Sequence, residues 1–175
     1  MKVYVKKVEN LTLPKKGSDL AAGYDIIATS DPQIVGTPSE CGFFWKSIDY
    51  IQYDTDIYLS PSCIMSHVLI HPRSSISKYN LMLKNGIGLA DADYTGMYIC
   101  KFSYCWQPKD LQIKFLYSRV LGREIQGKVD TEKIYKKGDK IAQLVFEPTT
   151  QVEFEIVDEL TETNRGAGGF GSSGV

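Results

Sequence analysis

The chain has 175 residues, which is enough for one domain with a substantial hydrophobic core. Its apolar content of 43% and charged content of 23% are ordinary for a globular protein, and its formal net charge of −1 argues against nucleic acid or an anionic membrane as a partner. No stretch approaches the roughly 20 apolar residues of a membrane span, and the opening MKVYVKKVENLTLP lacks the apolar core of a secretory signal.

Apolar and polar residues alternate with a period of two along most of the chain, which predicts an all-β fold: a sandwich, a jelly roll or a barrel. Strands are predicted, in chain order, in KVYVKKV, SHVLI, MYICKFSY, LQIKFLY, IAQLVFE and VEFEIV. Turn signals separate them, and Asn85-Gly86 is typical of a hairpin turn. The one predicted helix is short, from Ser75 to Leu81.

The predicted organisation is a β domain over residues 1–160 followed by a flexible glycine-rich arm over residues 161–175. Two stretches, near 35–50 and 104–129, are predicted to be insertions that carry extra hairpins. The four cysteines form no CxxC pair, which favours free thiols in a reducing compartment. A cytoplasmic location is therefore expected, or a nuclear one if the host is eukaryotic or viral.

Two early segments carry polar residues that suggest chemistry. Asp25 lies within the apolar run of DLAAGYDI, where it could also simply cap a turn. In HPRSSISK, Arg73 is followed by the hydroxyls of Ser74 and Ser75, and this combination is typical of a phosphate-binding segment. The alternative is an ordinary helix cap beside a surface arginine.

Two later segments also carry polar residues that suggest chemistry. Asp91 and Asp93 flank a single alanine, so an extended strand would point them to opposite faces and they would not share a proton. One would then point into a pocket, or both would be solvated beside a turn. Gln143 lies within the apolar run of KKGDKIAQLVFEP, and a buried glutamine needs hydrogen-bond partners, whether structural or from a ligand.

Five segments, taken in order, resemble the five motifs of the trimeric dUTPases: DLAAGYDI, PRSSISK, NGIGLADADYTG, KGDKIAQLVF and RGAGGFGSSG. The resemblance extends from about Asp19 to Gly174, and its last motif is the most specific. It implies a distorted jelly roll that forms a homotrimer, with each active site built from all three subunits. It also implies Mg²⁺-dependent hydrolysis of dUTP to dUMP and pyrophosphate, a reaction that keeps uracil out of DNA.

The resemblance also implies roles for single residues. Asp91 would be the catalytic residue that activates the attacking water, and Asp25 would act on the metal indirectly, through water, because the triphosphate mainly holds the Mg²⁺. Tyr94 would pack against the deoxyribose and leave no room for a 2′-hydroxyl. The other implied substrate-binding residues are Arg73, Ser74, Ser75, Gln143 and Arg165 at the phosphates, Asn85, Gly88 and Leu89 in the uracil-reading hairpin, and Phe170, Gly171 and Ser172 in the arm, where Phe170 covers the base.

One position departs from the family pattern near the catalytic aspartate. Ala90 stands where isoleucine or valine is common, which predicts a looser wall behind Asp91 and a lower rate. Two other functions stay open. The chain could be a non-catalytic dUTP-binding protein that uses its insertions to bind a protein partner, or a dCTP deaminase of the related fold.

Overall fold

The computed structural model describes residues 1–9, 11–116 and 122–168, with the backbone alone at 114–116 and 122–124. This part of the chain contains strands and three short 3₁₀ helices, at Ser74–Lys78, Pro108–Asp110 and Thr131–Lys133. The strands are β1 Val3–Val5, β2 Lys15–Lys16, β3 Tyr24–Ile27, β4 Gln33–Pro38, β5 Trp45–Tyr53, β6 Leu59–Pro61, β7 Ser66–Pro72, β8 Leu81–Leu83, β9 Gly88–Ala90, β10 Cys100–Tyr104, β11 Leu111–Leu116, β12 Gly122–Gly127 and β13 Lys140–Pro148. The predicted all-β fold is thereby confirmed.

All strand pairs are antiparallel and form three sheets. A five-stranded sheet has the order β2-β3-β13-β7-β9, and a six-stranded sheet has the order β11-β12-β5-β10-β8 with β4 paired to β5. Strands β1 and β6 form a small third sheet. Within the described residues, no helix combines the length and the apolar character that crossing a membrane requires.

The two large sheets contribute to one buried cluster. Val68 and Leu144 of the five-stranded sheet and Phe102 of the six-stranded sheet are each fully buried, with 0% of their surface exposed. Tyr53 and Tyr135 join Phe102 in edge-to-face ring contacts with centroids 5.5 to 6.1 Å apart. The Tyr53 hydroxyl donates a 2.9 Å hydrogen bond to the Tyr135 carbonyl, so this polar group is satisfied inside the core.

The five-stranded sheet aligns polar residues that are far apart in sequence. Gln143 on β13 lies directly opposite Asp25 on β3 and directly opposite His71 on β7. Because residues directly opposite each other point to the same face of a sheet, these three side chains form one row. Arg73 follows β7 immediately, two residues beyond His71.

Both stretches predicted to contain extra hairpins contain one. Strands β4 and β5 form the first hairpin, and β11 and β12 form the second. The two hairpins meet where Gly127 pairs with Trp45. Their interpretation as insertions into a smaller domain stays a prediction.

Three local predictions are wrong. The predicted helix does not reach Leu81, because a 3₁₀ helix spans Ser74–Lys78 and Leu81 begins β8. VEFEIV forms no strand, since Val152, Phe154 and Ile156 are 67%, 92% and 100% exposed and the described chain offers them no partner strand. Asn85-Gly86 is a turn, with Gly86 at φ +67°, but it does not close a hairpin. Strand β8 before it pairs with β10, whereas β9 after it pairs with β7 in the other large sheet.

Candidate active site

The first half of the site is a cluster of charges around Asp25, which we call the phosphate cluster: Asp25, Arg73, Ser75, Lys140 and Gln143. Arg73 Nε donates a 2.8 Å hydrogen bond to Asp25 Oδ1, and Lys140 Nζ lies 2.9 Å from Asp25 Oδ2. Asp25 is only 7% exposed, so its two cations compensate a carboxylate that burial would otherwise disfavour.

The charge of Asp25 follows from these contacts. Burial alone would raise the pKa of its carboxyl, but the hydrogen bonds and charges of Lys140 and Arg73 lower that pKa below its usual value. Asp25 is therefore ionised at neutral pH, and the two cations leave the phosphate cluster with one excess positive charge. Because 25% of the Arg73 side chain and 53% of the Lys140 side chain are exposed, this charge is accessible to an anion.

Two neutral side chains, Gln143 and Ser75, complete the phosphate cluster. Gln143 Nε2 donates to Asp25 Oδ1 over 3.4 Å, and Arg73 Nη1 donates to Ser75 Oγ over 3.3 Å. Gly23 permits the position of Gln143, because a Cβ at Gly23 would lie 3.0 Å from both Cβ and Oε1 of that glutamine. Ser74 is exposed next to the cluster, and its carbonyl accepts a 3.0 Å hydrogen bond from Ser77.

The second half of the site is a cavity of about 220 Å³, which we call the nucleoside cavity. It is lined by Ile70, Asn85, Gly88, Leu89, Ala90, Asp91, Tyr94, Met97, Tyr98 and Ile99. The backbone of Gly88 packs closely against the side chains of Ile70 and Asn85, because a Cβ at Gly88 would lie 3.0 Å from Ile70 Cβ and 3.3 Å from Asn85 Nδ2. The structure therefore brings together Asn85, Gly88, Leu89, Asp91 and Tyr94, all of which the sequence singled out.

Asp91 follows the last residue of β9, and the expected strand geometry around it is wrong. Residues 91–94 form a turn in which the Tyr94 amide donates a 3.1 Å hydrogen bond to the Asp91 carbonyl. Strand alternation therefore does not separate Asp91 from Asp93, and both are exposed beside a second cavity that His67 also borders. Ala90 behind Asp91 is buried opposite Val68.

Asp91 and Arg73, one from each half of the site, lie far apart within one chain. In the pairing of β7 with β9, Ile70 lies opposite Gly88 and Val68 lies opposite Ala90, so Asp91 continues toward His67. Arg73 is six residues beyond His67, immediately after the end of β7. At roughly 3.3 Å per residue, Asp91 and Arg73 are about 20 Å apart. One chain therefore does not bring its own Asp91 to its own phosphate cluster.

The arm contacts neither half in the described residues. Arg165 is exposed, and its Nε donates a 2.8 Å hydrogen bond to the Gly168 carbonyl in a local turn. Within residues 149–168, the last backbone hydrogen bond to the β domain joins the Thr149 amide to the Met65 carbonyl, just before β7, over 2.9 Å. Phe170, Gly171 and Ser172 lie outside the described residues.

Two residues in this part of the sheet were not singled out from the sequence. Lys140 matches no motif position with an assigned role, although it is the second cation on Asp25. His71 is half-buried and faces the same side of the sheet as Gln143 and Asp25. The register between β3, β13 and β7 is the signal that identifies both, and no local pattern carries it.

Comparison with known proteins identifies relatives along nearly the whole chain. A family model described as dUTPase matches residues 128–174. The deoxyuridine 5′-triphosphate nucleotidohydrolase of Shewanella pealeana is 32% identical, with the match covering 93% of this chain and 87% of that protein. The protein of the same name from Desulfitobacterium hafniense is 30% identical, over 98% of this chain and 93% of that protein.

Solved structures show the same likeness. A dUTPase variant of Staphylococcus bacteriophage 80alpha, determined with dUpNHpp, superposes with a TM-score of 0.68 at 26% identity over 99% of both chains. A variant of the dUTPase from phage phi11 of S. aureus, in which a structural Mg(II) ion is coordinated, matches with a TM-score of 0.60. At 22% identity over 91% of this chain and 98% of that one, the second likeness concerns the fold alone.

Proposed function

Since this chain belongs to the dUTPase family, we propose that it hydrolyses dUTP to dUMP and pyrophosphate at sites shared between copies of the chain. One observation carries the proposal: the phosphate cluster and the nucleoside cavity are both present, but about 20 Å of β7 separates Asp91 from Arg73. A base must be within hydrogen-bond reach of the group that it deprotonates. The nucleoside cavity of one copy must therefore meet the phosphate cluster of another.

We propose a homotrimer as the assembly that joins the halves. The exposed residues Val152, Phe154 and Ile156 support association, because alternating apolar side chains without a partner are costly to leave in water. Glu153 and Glu155 alternate with them, and the edge strand β1 carries Lys2, Lys6 and Lys7 at and beyond its ends. Opposite charges on the two segments are compatible with contact between copies.

The residues suggest how the reaction proceeds. Asp91 holds a water molecule in line with the α-phosphorus and accepts its proton as the new oxygen–phosphorus bond forms. The bond from the α-phosphorus to the bridging oxygen breaks, and pyrophosphate leaves with that electron pair. Arg73, Gln143 and, from the arm, Arg165 donate hydrogen bonds to phosphate oxygens, where negative charge is concentrated.

The nucleoside cavity selects the base and the sugar in this proposal. Backbone groups from Asn85 to Leu89 pair with uracil, and Tyr94 blocks the position of a 2′-hydroxyl. Phe170 covers the base from above, while Gly171 and Ser172 bring the arm onto the nucleotide. Closure of the arm excludes water that is not the attacking one.

We propose that Mg²⁺ enters this site as an ion carried by the substrate. Among the described residues no three His, Cys, Asp or Glu side chains form a group that could hold a metal. Both oxygens of Asp25 are engaged by Arg73 and Lys140, which leaves Asp25 an indirect role through water. Mg²⁺ commonly binds substrate phosphates and keeps several waters, and it would neutralise charge on the triphosphate.

We also propose a cytoplasmic location, because all four cysteines are free, which suits a reducing compartment. Binding of a further protein partner stays a prediction. A partner would meet the hairpin of β11 and β12, where the cross-strand neighbours Ile113 and Ile125 are 56% and 62% exposed.

A substrate panel tests the proposed reaction. With Mg²⁺, the protein should convert dUTP to dUMP and pyrophosphate, and should act on dCTP roughly 10⁴-fold more slowly because cytosine mismatches the donors and acceptors that read uracil. dTTP and UTP should also be poor substrates, and removal of Mg²⁺ with a chelator should slow the reaction on dUTP. Products are followed by chromatography and by pyrophosphate release.

Each alternative gives a different result in the same panel. Release of ammonia from dCTP without pyrophosphate would identify a deaminase. Binding of dUTP without any product would identify a non-catalytic nucleotide sensor. Either result would contradict the proposed function.

A further inference from the structure

The ring of Tyr94, which lines the nucleoside cavity, is held in place by contacts with its neighbours. Its hydroxyl donates a 2.9 Å hydrogen bond to the Met97 carbonyl. Its edge packs against the ring of Tyr98, with centroids 5.7 Å apart and planes inclined by 63°. Tyr98 is 1% exposed and cannot yield, whereas Tyr94 is 45% exposed, so the Tyr94 ring has contacts behind it and open space in front.

Gly96 lies directly against the Tyr94 ring. A Cβ at Gly96 would lie 2.6 Å from the Tyr94 hydroxyl oxygen, 2.7 Å from Cζ and 3.0 Å from Cε2. These distances are far below van der Waals contact, so the ring occupies the space that any side chain at position 96 would need. The φ of Gly96 lies outside the left-handed region, so position 96 needs glycine for this space and not for its backbone conformation.

We infer that Gly96 is a positioning residue that fixes how far the Tyr94 ring extends into the nucleoside cavity, and thereby how well the enzyme fits a deoxyribose. The inference rests on the proposed function, in which Tyr94 is the wall against the sugar. Gly96 itself touches no substrate. It acts through Tyr94, whose far end the Met97 carbonyl holds and whose edge Tyr98 supports.

A methyl group at position 96 has a predictable effect on this wall. The added carbon pushes the ring away from the backbone, and Tyr98 blocks movement toward the core. The remaining direction is the exposed side of the ring, and Tyr94 is one of the residues that line the nucleoside cavity. The cavity becomes narrower, so dUTP itself fits less well, and UTP gains no access.

The experiment compares Gly96→Ala with the unmodified protein and with Gly17→Ala. Gly17 is a suitable control because no atom lies within 4 Å of its added Cβ and its φ is ordinary. Gly96→Ala should lower kcat/KM for dUTP by up to about a hundredfold, the cost of a misplacement of about 1 Å, mainly through a higher KM. Gly17→Ala should match the unmodified protein, and thermal unfolding should show that both variants are folded.

A double variant separates an effect through Tyr94 from a general structural one. Tyr94→Ala removes the wall and should admit UTP, so that the ratio of kcat/KM for dUTP to that for UTP falls. In this background Gly96→Ala should have no further effect, since its methyl group then meets no ring.

Two results would overturn the inference: a Gly96→Ala variant as active on dUTP as the unmodified protein, or an equal penalty with and without the Tyr94 ring. An unmodified protein that does not hydrolyse dUTP at all would instead contradict the proposed function. The two failures are therefore distinguishable.

Discussion

Asp91→Asn should slow dUTP hydrolysis by about 10²- to 10⁴-fold, the usual contribution of a general base, while leaving nucleotide binding largely intact. Asn keeps the size of the side chain and its place at the edge of the nucleoside cavity, but it cannot accept the proton of the attacking water. Binding should survive, because the contacts to base, sugar and phosphates come from other residues.

The matched control is Asp93→Asn, two residues away in the same exposed turn. It should retain near-normal turnover, since Asp93 borders the second cavity and does not line the nucleoside cavity. The turnover number is measured from pyrophosphate release, and affinity is measured by calorimetry with a non-hydrolysable dUTP analogue. Near-normal turnover by Asp91→Asn would remove Asp91 from the role of base.

Truncation after Asn164 should give a folded protein whose turnover is reduced by orders of magnitude. The described part of the arm makes no hydrogen bond to the sheets beyond Thr149, so its loss should leave the free energy of unfolding unchanged. Removal of one donor to developing charge typically costs about 10²- to 10³-fold in turnover, and the truncation also removes the aromatic cover of the base.

Arg165→Ala separates these two contributions, because it removes the donor and keeps Phe170. Its turnover should lie between those of the full chain and the truncated protein. Sedimentation should give the same oligomeric state for all three proteins. An unchanged rate after truncation would mean that the arm takes no part in catalysis.

The fold was predictable from the sequence wherever the alternating apolar side chains are buried within the chain itself. Strands β7, β10 and β13 lie where the pattern places them, because their buried residues, such as Val68 and Phe102, pack against one another. VEFEIV has the same pattern but no strand. An alternating segment indicates that one apolar face is to be buried, but it does not indicate whether this chain or another copy provides the surface that buries it.

The site was predictable to the level of its motifs but not of its geometry. The motifs identify Asp25, Arg73 and Gln143, and these residues meet in the phosphate cluster. Lys140 joins them only because β13 pairs with β3, with an irregular register next to that lysine. The turn at residues 91–94 likewise ended the strand alternation on which the comparison of Asp91 with Asp93 depended.

In the proposed trimer, the two halves of each active site come from different copies of the chain. Assemblies that mix two inactive variants test this arrangement. Arg73→Ala damages only the phosphate cluster, and Asp91→Asn damages only the catalytic edge of the nucleoside cavity, so each variant alone should be nearly inactive. In a trimer that contains both, one of the three sites combines an intact cluster from one copy with an intact Asp91 from its neighbour.

When the two variants are unfolded together in equal amounts and refolded, three quarters of the trimers should be mixed. The mixture should therefore regain about a quarter of the unmodified activity, on the counting that follows from a closed ring of three subunits. Native mass spectrometry verifies that mixed trimers have formed. Mixed trimers with no more activity than the separate variants would contradict a site shared between copies.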